Sequence, residues 1–515
     1  MIHLVLHRYK ELFCLISMIL LIGCAAGPDF VEPSAPKVDK LTATELPQKL
    51  TTVPNVIGGS PQSYVDGKDV PADWWTLYKS NDLNEIVRLA LQKNPNLKSA
   101  DAALRAAQSS ARAQTGIYYP SVGLNAGGTR QQVPPAYFGL ATGDPTQYNV
   151  YNASVNVSYK IDVFGASRRA VESARAQAEY QQFQLEATYL SLTTNVVNAA
   201  IRDAAQKEQL EATRTILEAQ EHLAKVINQQ FTIGTVSKLD TSSQNTLVAN
   251  SQSQLYNYDR NLSITRNMLV AYTGGYPGTS QIPQFRLANL SLPSEIPQII
   301  PSNLVRQRPD IRAAEAALKA SNAQVGVATA NLLPQLNLSA AYGSEALTTA
   351  ALFGPGSLLW SLGAGLTQPL FQGGALIAQR DAAKAAYDQA AANYEATVVN
   401  AFQEVANALK ALDSSANILS SAAAAEKNAG VNLNIVTQQY KLGTINYLSV
   451  LYSQTQYQQA KINLIQAQAD RFTNTAALYA ALGGGWWNRA GPAYQSLDAK
   501  GIPLTNISNH QQEVK

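Results

Sequence analysis

The stretch Ala-Ser-Val-Asn-Val-Ser-Tyr-Lys-Ile-Asp-Val, residues 153–163, alternates apolar and polar side chains along its whole length. Because successive side chains of a β-strand point to opposite faces, this period of two predicts a strand with one apolar face. Weaker alternation recurs at residues 122–126, 336–342 and 360–366. We therefore expect four strands per chain, each of about the ten residues that a tilted strand needs to cross a membrane.

An internal duplication organises the rest of the chain. Asn94-Pro95-Asn96-Leu97 aligns without a gap to Arg308-Pro309-Asp310-Ile311 at an offset of 214 residues. Phe231–Thr235 aligns with Tyr440–Thr444 at an offset of 209, which holds through the segment that follows. The offset changes between the two strands of the first pair, where a loop accepts insertions. The chain therefore consists of two structural repeats, each with one pair of strands.

The second pair of strands has an alternative interpretation as a membrane-spanning helix, because residues 346–371 carry no charge. Gly354-Pro355-Gly356 interrupts this segment, and proline together with glycine disfavours a continuous helix. The equivalent part of the first repeat contains the charged, clearly alternating stretch described above. A second strand hairpin is therefore the favoured prediction.

Two long helices are predicted at residues 167–230 and 375–439, which contain no proline and repeat apolar residues at coiled-coil spacing. The apolar seam of the first is Leu185, Tyr189, Leu192, Val196 and Ala199, and that of the second is Tyr394, Val398, Ala401, Val405, Ala408 and Leu412. A helix of this length measures roughly 100 Å, far more than a globular domain accommodates. Two shorter helices in each repeat would supply neighbours along its length.

The first residues are typical of an export signal, with Arg8 and Lys10 before an apolar run at 12–22 that is short for a transmembrane helix. The run ends in Leu21-Ile22-Gly23-Cys24, which resembles a bacterial lipobox. We expect residues 1–23 to be removed and Cys24 to be acylated, with a plain signal peptide as the alternative. Ala25, rather than aspartate, resembles the signal for transfer to the outer membrane.

Composition argues against several other classes of protein. The 39 Lys+Arg and 36 Asp+Glu nearly balance and form no basic stripe, so no nucleic-acid partner is expected. The four histidines are dispersed at His3, His7, His222 and His510, and the cysteines are Cys14 and Cys24. With no cluster for a metal and no phosphate-binding or nucleophile motif, we predict no cofactor, no metal site and no enzymatic activity.

Four strands are too few to close a membrane barrel, whose smallest form has about eight. An open sheet edge in lipid would leave backbone groups without hydrogen bonds, at several kcal/mol each. The chain must therefore oligomerise, and a ring of such chains would join a barrel to a tube of long helices. The fold class expected from these features is mainly α with a membrane β-barrel part.

Five motifs together resemble the TolC/OprM (NodT-type) family of outer-membrane factors, in particular its lipoprotein branch in RND-type efflux systems. They are the segments 24–30, Trp74-Trp75 with Asp82-Leu83 and Asn94-Pro95, 308–315, 369–374 and 481–486. The resemblance covers essentially the whole mature chain. It implies a homotrimer with a 12-stranded barrel, continuous with a long α-helical coiled-coil tunnel and surrounded by a mixed equatorial belt.

The resemblance, together with the duplication, implies the following organisation. A lipoprotein signal peptide (1–23) precedes a first repeat (24–300) with a barrel hairpin at about 120–164 and helices at about 82–119, 166–232 and 237–274. A second repeat (301–485) has a hairpin at about 334–371 and helices at about 302–333, 374–441 and 445–482. A C-terminal equatorial segment (486–515) would complete a belt drawn also from residues 30–80 and 276–300.

Family members dock a periplasmic adaptor on the turns of their helical hairpins, and the matching residues are Gly234, Thr235, Val236, Gly443, Thr444 and Ile445. Turn geometry alone would also explain the glycines. The periplasmic aperture implied by the resemblance involves Asp240, Tyr440, Ser449 and Tyr452. Asp240 could equally be a helix-start residue favoured by the helix dipole. Tyr452 replaces an aspartate common in the family, which puts an acidic ring from the second repeat in doubt.

The resemblance implies an outer-membrane exit duct, lipid-anchored and extending into the periplasm. It would passively conduct drugs or other toxic compounds in a tripartite pump. The expected partners are two further copies of the chain, a periplasmic adaptor (membrane fusion protein), an inner-membrane RND-type transporter and outer-membrane lipid. The alternatives are a duct for type I protein secretion and a lipid-anchored coiled-coil scaffold without a pore.

Overall fold

The computed structural model describes residues 25–489 except 37, 39, 40, 43, 44, 140, 141, 299 and 300. Cys24, the signal peptide and residues 490–515 lie outside the described residues. The helices, numbered in chain order, are α1 (Asn81–Lys93), α2 (Pro95–Thr115), α3 (Ala166–Thr232), α4 (Lys238–Tyr272), α5 (Pro301–Gln307), α6 (Pro309–Ala330), α7 (Ala375–Lys441) and α8 (Tyr447–Ala481). The strands are β1 (Ser63–Asp66), β2 (Ser121–Val133), β3 (Thr146–Ile161), β4 (Glu295–Gln298), β5 (Gln335–Ala346) and β6 (Leu358–Thr367).

The four long strands form one antiparallel sheet in the order β2-β3-β5-β6. The register pairs Ser121 with Ser158, Tyr151 with Ala346, and Gln335 with Thr367. The uncharged segment of the second repeat therefore contains strand β6 and a short 3-10 turn in place of a helix. Among the described residues, no helix combines the length and apolar character needed to cross a membrane.

One side of this sheet is apolar and uncovered. Leu124, Leu362 and Leu366 keep between 71% and 80% of their side-chain surface exposed. Such a patch is unusual on a protein that meets only water, because large contiguous apolar surfaces mark interfaces with membranes or partners. The period-two alternation of the sequence therefore places apolar side chains on one face of the sheet, and this face is compatible with lipid.

The helices α3 and α7 are each 67 residues long, as the proline-free segments predict. Gly165 and Gly374 precede them with φ of 81° and 83°, so each helix starts directly from a left-handed residue that follows the sheet region. Around them, α3 contacts α2, α4, α6 and α8, while α7 contacts α6 and α8. The long helices therefore find shorter neighbours along their whole length.

The single helices predicted at 82–119 and 302–333 are wrong, because each is broken near its start. The breaks fall at Asn94 and Arg308, directly before Pro95 and Pro309. Proline disfavours the helical conformation at the residue before it and is well tolerated as the first residue of a new helix. Asn94 has ψ of 124°, and its Oδ1 caps the new helix by accepting from the backbone N–H groups of Asn96 and Leu97.

The two breaks also join equivalent helices end to end. The side chain of Asn94 donates from Nδ2 to the carbonyl of Tyr272 at 2.8 Å, at the C-terminal end of α4. The side chain of Arg308 donates from Nη1 to the carbonyl of Ala481 at 2.8 Å, at the C-terminal end of α8. The two repeats therefore stack their short helices beside the long helix in the same way, as the duplication in the sequence indicates.

Residues 48–93 and 282–298, here called the belt layer, cover one face of the helices at mid-height. A parallel pair of short strands, β1 and β4, which the sequence pattern does not predict, ties the two parts together. Trp74 stacks on Tyr479 of α8 with ring centroids 5.8 Å apart, and the hydroxyl of Tyr78 donates to the carbonyl of Phe472 at 2.8 Å. The largest apolar core of the chain lies between this layer and the helices.

Arg471 of α8 is fully buried beneath the belt layer. Its guanidinium donates to the carbonyls of Gly58 and Leu412 and to Oε1 of Gln62, and no carboxylate of the described residues accepts from it. Burial lowers its pKa to about 10. A buried charge satisfied by neutral oxygens binds the belt layer to the helical wall with defined geometry.

Candidate functional site at the helical tips

The turn between α3 and α4 is a Schellman motif, which closes the end of a helix with a left-handed glycine. Gly234 has φ of 78° and donates its N–H to the carbonyl of Phe231 at 3.0 Å. Thr235 donates its N–H to the carbonyl of Gln230 at 2.9 Å. The turn geometry at this tip is therefore fully accounted for by local backbone hydrogen bonds.

The turn between α7 and α8 repeats this arrangement residue for residue. Gly443 has φ of 72°, and Thr444 donates its N–H to the carbonyl of Gln439 at 3.0 Å. A Cβ added at either tip glycine would meet no heavy atom within 4 Å, so each glycine faces open space. The two turns are accessible surfaces, and adaptor docking on them stays a prediction.

Exposed apolar side chains accompany these turns at equivalent positions. Ile233 and Leu442, each just before a tip glycine, are 74% and 78% exposed. Val236 differs, because it packs on a small core at the tip that includes Ile227 and Tyr447. Ile445 is half-buried. Each tip thus presents at least one large apolar side chain that the described chain leaves uncovered.

Asp240 forms a capping box at the start of α4. Its Oδ2 accepts from the N–H of Ser237 at 2.9 Å, and Oγ of Ser237 accepts from the N–H of Asp240 at 3.2 Å. The equivalent position in the second repeat is Ser449, whose N–H and hydroxyl both donate to Oδ1 of Asn446, at 3.2 and 3.0 Å. Both residues therefore occupy the same helix-start position, which gives them a local structural role.

Tyr440 links the two helical hairpins, since its hydroxyl donates to Oε1 of Gln230 on the first one at 3.2 Å. Its ring lies 5.4 Å from that of Tyr447. Burial raises the pKa of Tyr440, and the nearby charge of Asp240 raises it further. Asp240 is thus close to this tyrosine, although its hydrogen bonds to Ser237 are those of the helix cap.

Sequence reasoning missed a second link, between Tyr447 and Gln244. Tyr447 is 4% exposed, and its hydroxyl donates a short hydrogen bond to Oε1 of Gln244. The Nε2 of Gln244 in turn donates to the carbonyl of Gln220 at 2.7 Å. Burial raises the pKa of Tyr447 strongly, which keeps the phenol protonated as a donor. A tyrosine shortly after the predicted hairpin turn was the available signal in the sequence.

Tyr452 is not brought into the contacts between the hairpins, because its side chain is 67% exposed. The first two turns of α8 contain no aspartate or glutamate. A cleft of about 1140 Å³ lies between the hairpins above the tips, with Asp240, Tyr440 and Tyr447 among its lining residues. Of the four residues predicted for the aperture, Asp240 and Ser449 therefore cap helices and Tyr440 joins the two hairpins. Tyr452 lies on the exposed surface.

The other predicted site residue, Cys24, lies outside the described residues, but the chain directly after it is fixed. The N–H of Ala26 donates to the carbonyl of Phe164 at 2.8 Å, at the end of the sheet region. The buried guanidinium of Arg169 donates to Asp29 at 2.6 Å and to the carbonyl of Ala26 at 3.4 Å. Residues 26–29 therefore lie beside the junction between the sheet and α3.

Known proteins share both the sequence and this architecture. The outer membrane efflux protein family matches residues 86–275 and 300–484. The probable efflux pump outer membrane protein TtgC of Pseudomonas putida is 28% identical over 490 residues, covering 94% of this chain and 97% of TtgC. The pyoverdine export outer membrane protein OpmQ of Pseudomonas aeruginosa is 28% identical over 424 residues, covering 82% of this chain and 89% of OpmQ.

A solved structure of the outer-membrane channel OprN has the same fold. It superposes with a TM-score of 0.80 at 26% sequence identity, covering 90% of this chain and 100% of OprN. The fold and the sequence matches define the class, which is an outer-membrane channel protein of efflux systems. The chain belongs to the outer membrane efflux protein family. It forms an efflux exit duct in the outer membrane and is not an enzyme.

The Tyr447–Gln244 link generates a prediction about tip stability. Replacing Tyr447 by phenylalanine leaves Oε1 of Gln244 buried without a donor, which costs about 1–2 kcal/mol. Local opening of the tip should then become about 5–30 times more frequent. Hydrogen–deuterium exchange of the amides around residues 220–227 and 447–450 measures this.

Tyr457→Phe is the matched control, because Tyr457 lies on the same helix and its hydroxyl makes no hydrogen bond within the described part of the chain. This variant should exchange like the original protein. Identical exchange in Tyr447→Phe and Tyr457→Phe would show that the Tyr447–Gln244 bond does not hold the hairpins together.

Proposed function

We propose that three copies of the chain assemble into a 12-stranded barrel continuous with a helical tunnel. The observation that carries this proposal is an open sheet of four membrane-length strands, attached directly to two helices of 67 residues. Strands β2 and β6 are its edges, and in lipid an unpaired edge costs several kcal/mol per backbone group. Pairing β6 of one chain with β2 of the next satisfies both edges.

The helices α3 and α8 are covered by the belt layer on one side and uncovered on the other. This distribution supports a conduit on the uncovered side. On α8, Phe472 and Tyr479 contact the belt layer, while Thr473 and Ala477 lie on the opposite side of the helix and are half-exposed. On α3, Tyr189 packs against Trp75 of the belt layer. The uncovered face, opposite the belt layer, is therefore the one that would line the tunnel.

In this assembly the protein acts as the passive outer component of a tripartite pump. We infer that a periplasmic adaptor docks at the two exposed tips, and that an inner-membrane RND-type transporter supplies the energy. The relatives support small exported compounds as the cargo, since they are named for toluene efflux, antibiotic efflux and pyoverdine export. Drugs or other toxic compounds are the proposed substrates of this chain.

The lipid anchor is part of the proposal. We infer that Cys24 is acylated after removal of residues 1–23, with the lipid chains in the leaflet beside the barrel. Its support is the position of the next residue: a Cβ added at Gly165 would lie 2.8 Å from Cα of Ala25. Gly165 marks the junction of sheet and helix, where a membrane surface would lie.

The aperture is proposed to lie just above the tips, where the hairpins meet. Tyr440 is tied to Gln230 there, and Asp240 and Ser449 cap the returning helices. Tyr452, exposed beside them, is proposed to reach toward the pore or a neighbouring copy. Closure of the aperture would then depend on tyrosine hydroxyls and one aspartate, without an acidic ring from the second repeat.

Conductance tests the duct directly. The purified oligomer, added to a planar lipid bilayer, should insert and give discrete, uniform current steps, because a continuous tunnel conducts ions whenever its tip is open. A lipid-anchored scaffold without a pore would give no steps under the same conditions. The absence of steps in a preparation that is trimeric by native mass spectrometry would reject the duct.

Docking at the tips predicts a specific loss of assembly. Gly234→Glu and Gly443→Glu place a charge on the proposed adaptor surface, so crosslinking to the periplasmic adaptor should be lost and drug susceptibility should rise. Gly278→Glu is the matched control, because Gly278 also has a positive φ, of 89°, and open space at its Cβ. All three changes carry a similar backbone strain of roughly 1–2 kcal/mol.

Trimers of the three glycine variants should survive equally, which native mass spectrometry checks. Unchanged adaptor crosslinking in both tip variants would remove docking from these turns. Loss of crosslinking in Gly278→Glu as well would attribute the effect to backbone strain and not to the tip surface.

Acylation at Cys24 predicts the mass of the mature N-terminal peptide. Its mass should exceed that of the unmodified sequence from Cys24 by several fatty acyl groups, because an acylated cysteine is the new N-terminus. Cys24→Ala should lose this mass increase while keeping the rest of the chain unchanged. An unmodified cysteine, or a mature chain that starts elsewhere, would contradict the anchor.

A further inference from the structure

The uncovered face of the helical wall contains a cleft of about 670 Å³. Helices α3 and α7 form the two sides of the cleft, and the C-terminal end of α8 forms its floor. The cleft opens on the side opposite the belt layer. Ala477, Ala480 and Ala481 form its floor, with Leu190 of α3 and Ala408 of α7 at its sides. The small side chains of these four alanines leave a hollow large enough for a small organic molecule.

The equivalent positions of the first repeat carry bulkier side chains. At the offset of 209 residues, Met268 and Tyr272 of α4 are equivalent to Ala477 and Ala481 of α8. Both of the larger side chains are half-buried against the main core. The two repeats thus share a backbone arrangement, but only the second has alanine where the first has bulk.

Two buried polar atoms in the cleft have no hydrogen-bond partner within the described part of the chain. They are Oγ1 of Thr194 and Oδ1 of Asn198, both on α3. Neighbouring threonines of this helix behave differently, because Thr188 and Thr193 donate to carbonyls of their own helix at 2.8 and 3.1 Å. A buried unpaired polar atom is unfavourable, so rotation of either side chain to accept from an N–H donor in the cleft would be favoured.

The charges at one end of the cleft favour a cation. Arg308 is nearly buried, with 8% of its side chain exposed, and contacts both Asp310 and Glu404 at 2.7 Å. One guanidinium between two carboxylates leaves a net charge of about −1 at this end. The side chain of Glu404 is 59% exposed, so its carboxylate is accessible from the open face.

We propose that this cleft is a binding site on the duct wall for an amphipathic amine. The apolar body of the compound lies on the alanine floor, and its protonated nitrogen donates to Asn198 and Thr194 near the carboxylate of Glu404. The inference rests on the proposed function, since only in a duct does the uncovered face meet the exported compounds. Binding is rapidly reversible, as conduction requires each site to release its solute.

Single-channel recording with 4-phenylbutylamine as the probe tests the site. At millimolar concentrations the amine should produce brief, reversible drops in the current through the original protein. The uncharged 4-phenylbutanol and the anionic 4-phenylbutyrate should produce such drops at least about tenfold less often, because they lack the ammonium group. Equal effects of all three compounds would overturn the site.

Two variants assign the effect to the cleft. Ala477→Met introduces the residue of the first repeat, fills the floor and should reduce the frequency of current drops about tenfold. Asn198→Leu removes the unpaired acceptor and should bring the responses to the amine and the alcohol close together. Ala460→Met makes the same change on the same helix outside the cleft lining, and should leave the response unchanged.

A second measurement does not depend on current. The fluorine signal of 4-(4-fluorophenyl)butylamine should broaden with detergent-solubilised original protein and with Ala460→Met, but not with Ala477→Met. If the signal broadens as much with Ala477→Met as with the original protein, the site is overturned. This result does not depend on whether the larger side chain also narrows the pore. Channels that conduct but show no response to the amine reject the cleft alone, whereas a protein without channels rejects the duct itself.

Discussion

Hydrogen bonding of the backbone at the two edges of a four-stranded sheet is the constraint on which the rest of the structure depends. The apolar face of the sheet suits lipid, but β2 and β6 each present backbone groups that lipid cannot satisfy. Within residues 25–489, as far as the structure describes them, the chain has no remaining strand to cover them. This constraint is the physical reason for the closed, hollow assembly that we propose.

The helices extend this constraint away from the membrane. Because α3 and α7 start directly after the sheet, at Gly165 and Gly374, any closed arrangement of strands places the long helices in a ring below it. The belt layer then occupies only one face of the wall, held by Arg471 and by the stacking of Trp74 on Tyr479. The other face is the one that would line the tunnel in the proposed assembly.

Duplication lets the two repeats share a backbone while their side chains diverge. Asn94 and Arg308 make equivalent bonds to the ends of α4 and α8, and both tips close with the same turn. Against this common frame, Ser449 stands at the position of Asp240, and Ala477 at that of Met268. The acidic helix-cap residue therefore belongs to the first repeat, and the alanine floor of the cleft belongs to the second. A strictly symmetric chain would not show these differences.

The sequence by itself determined the four strands, the two long helices, the duplication and the two glycine turns. These features are local, because alternation, heptad spacing and positive φ leave their signature in neighbouring residues. The prolines that begin two of the stacked helices are also a local signal. Because proline disfavours a helical conformation at the residue before it, Pro95 and Pro309 could have predicted the breaks at Asn94 and Arg308.

Only the tertiary structure decided which side chains meet across distant segments. The Tyr447–Gln244 bond, the pairing of β1 with β4, the burial of Arg471 and the cleft beside Asn198 all join residues from different parts of the chain. No periodic pattern encodes such contacts. They follow from the packing of whole helices against one another, which fixes the final position of each side chain.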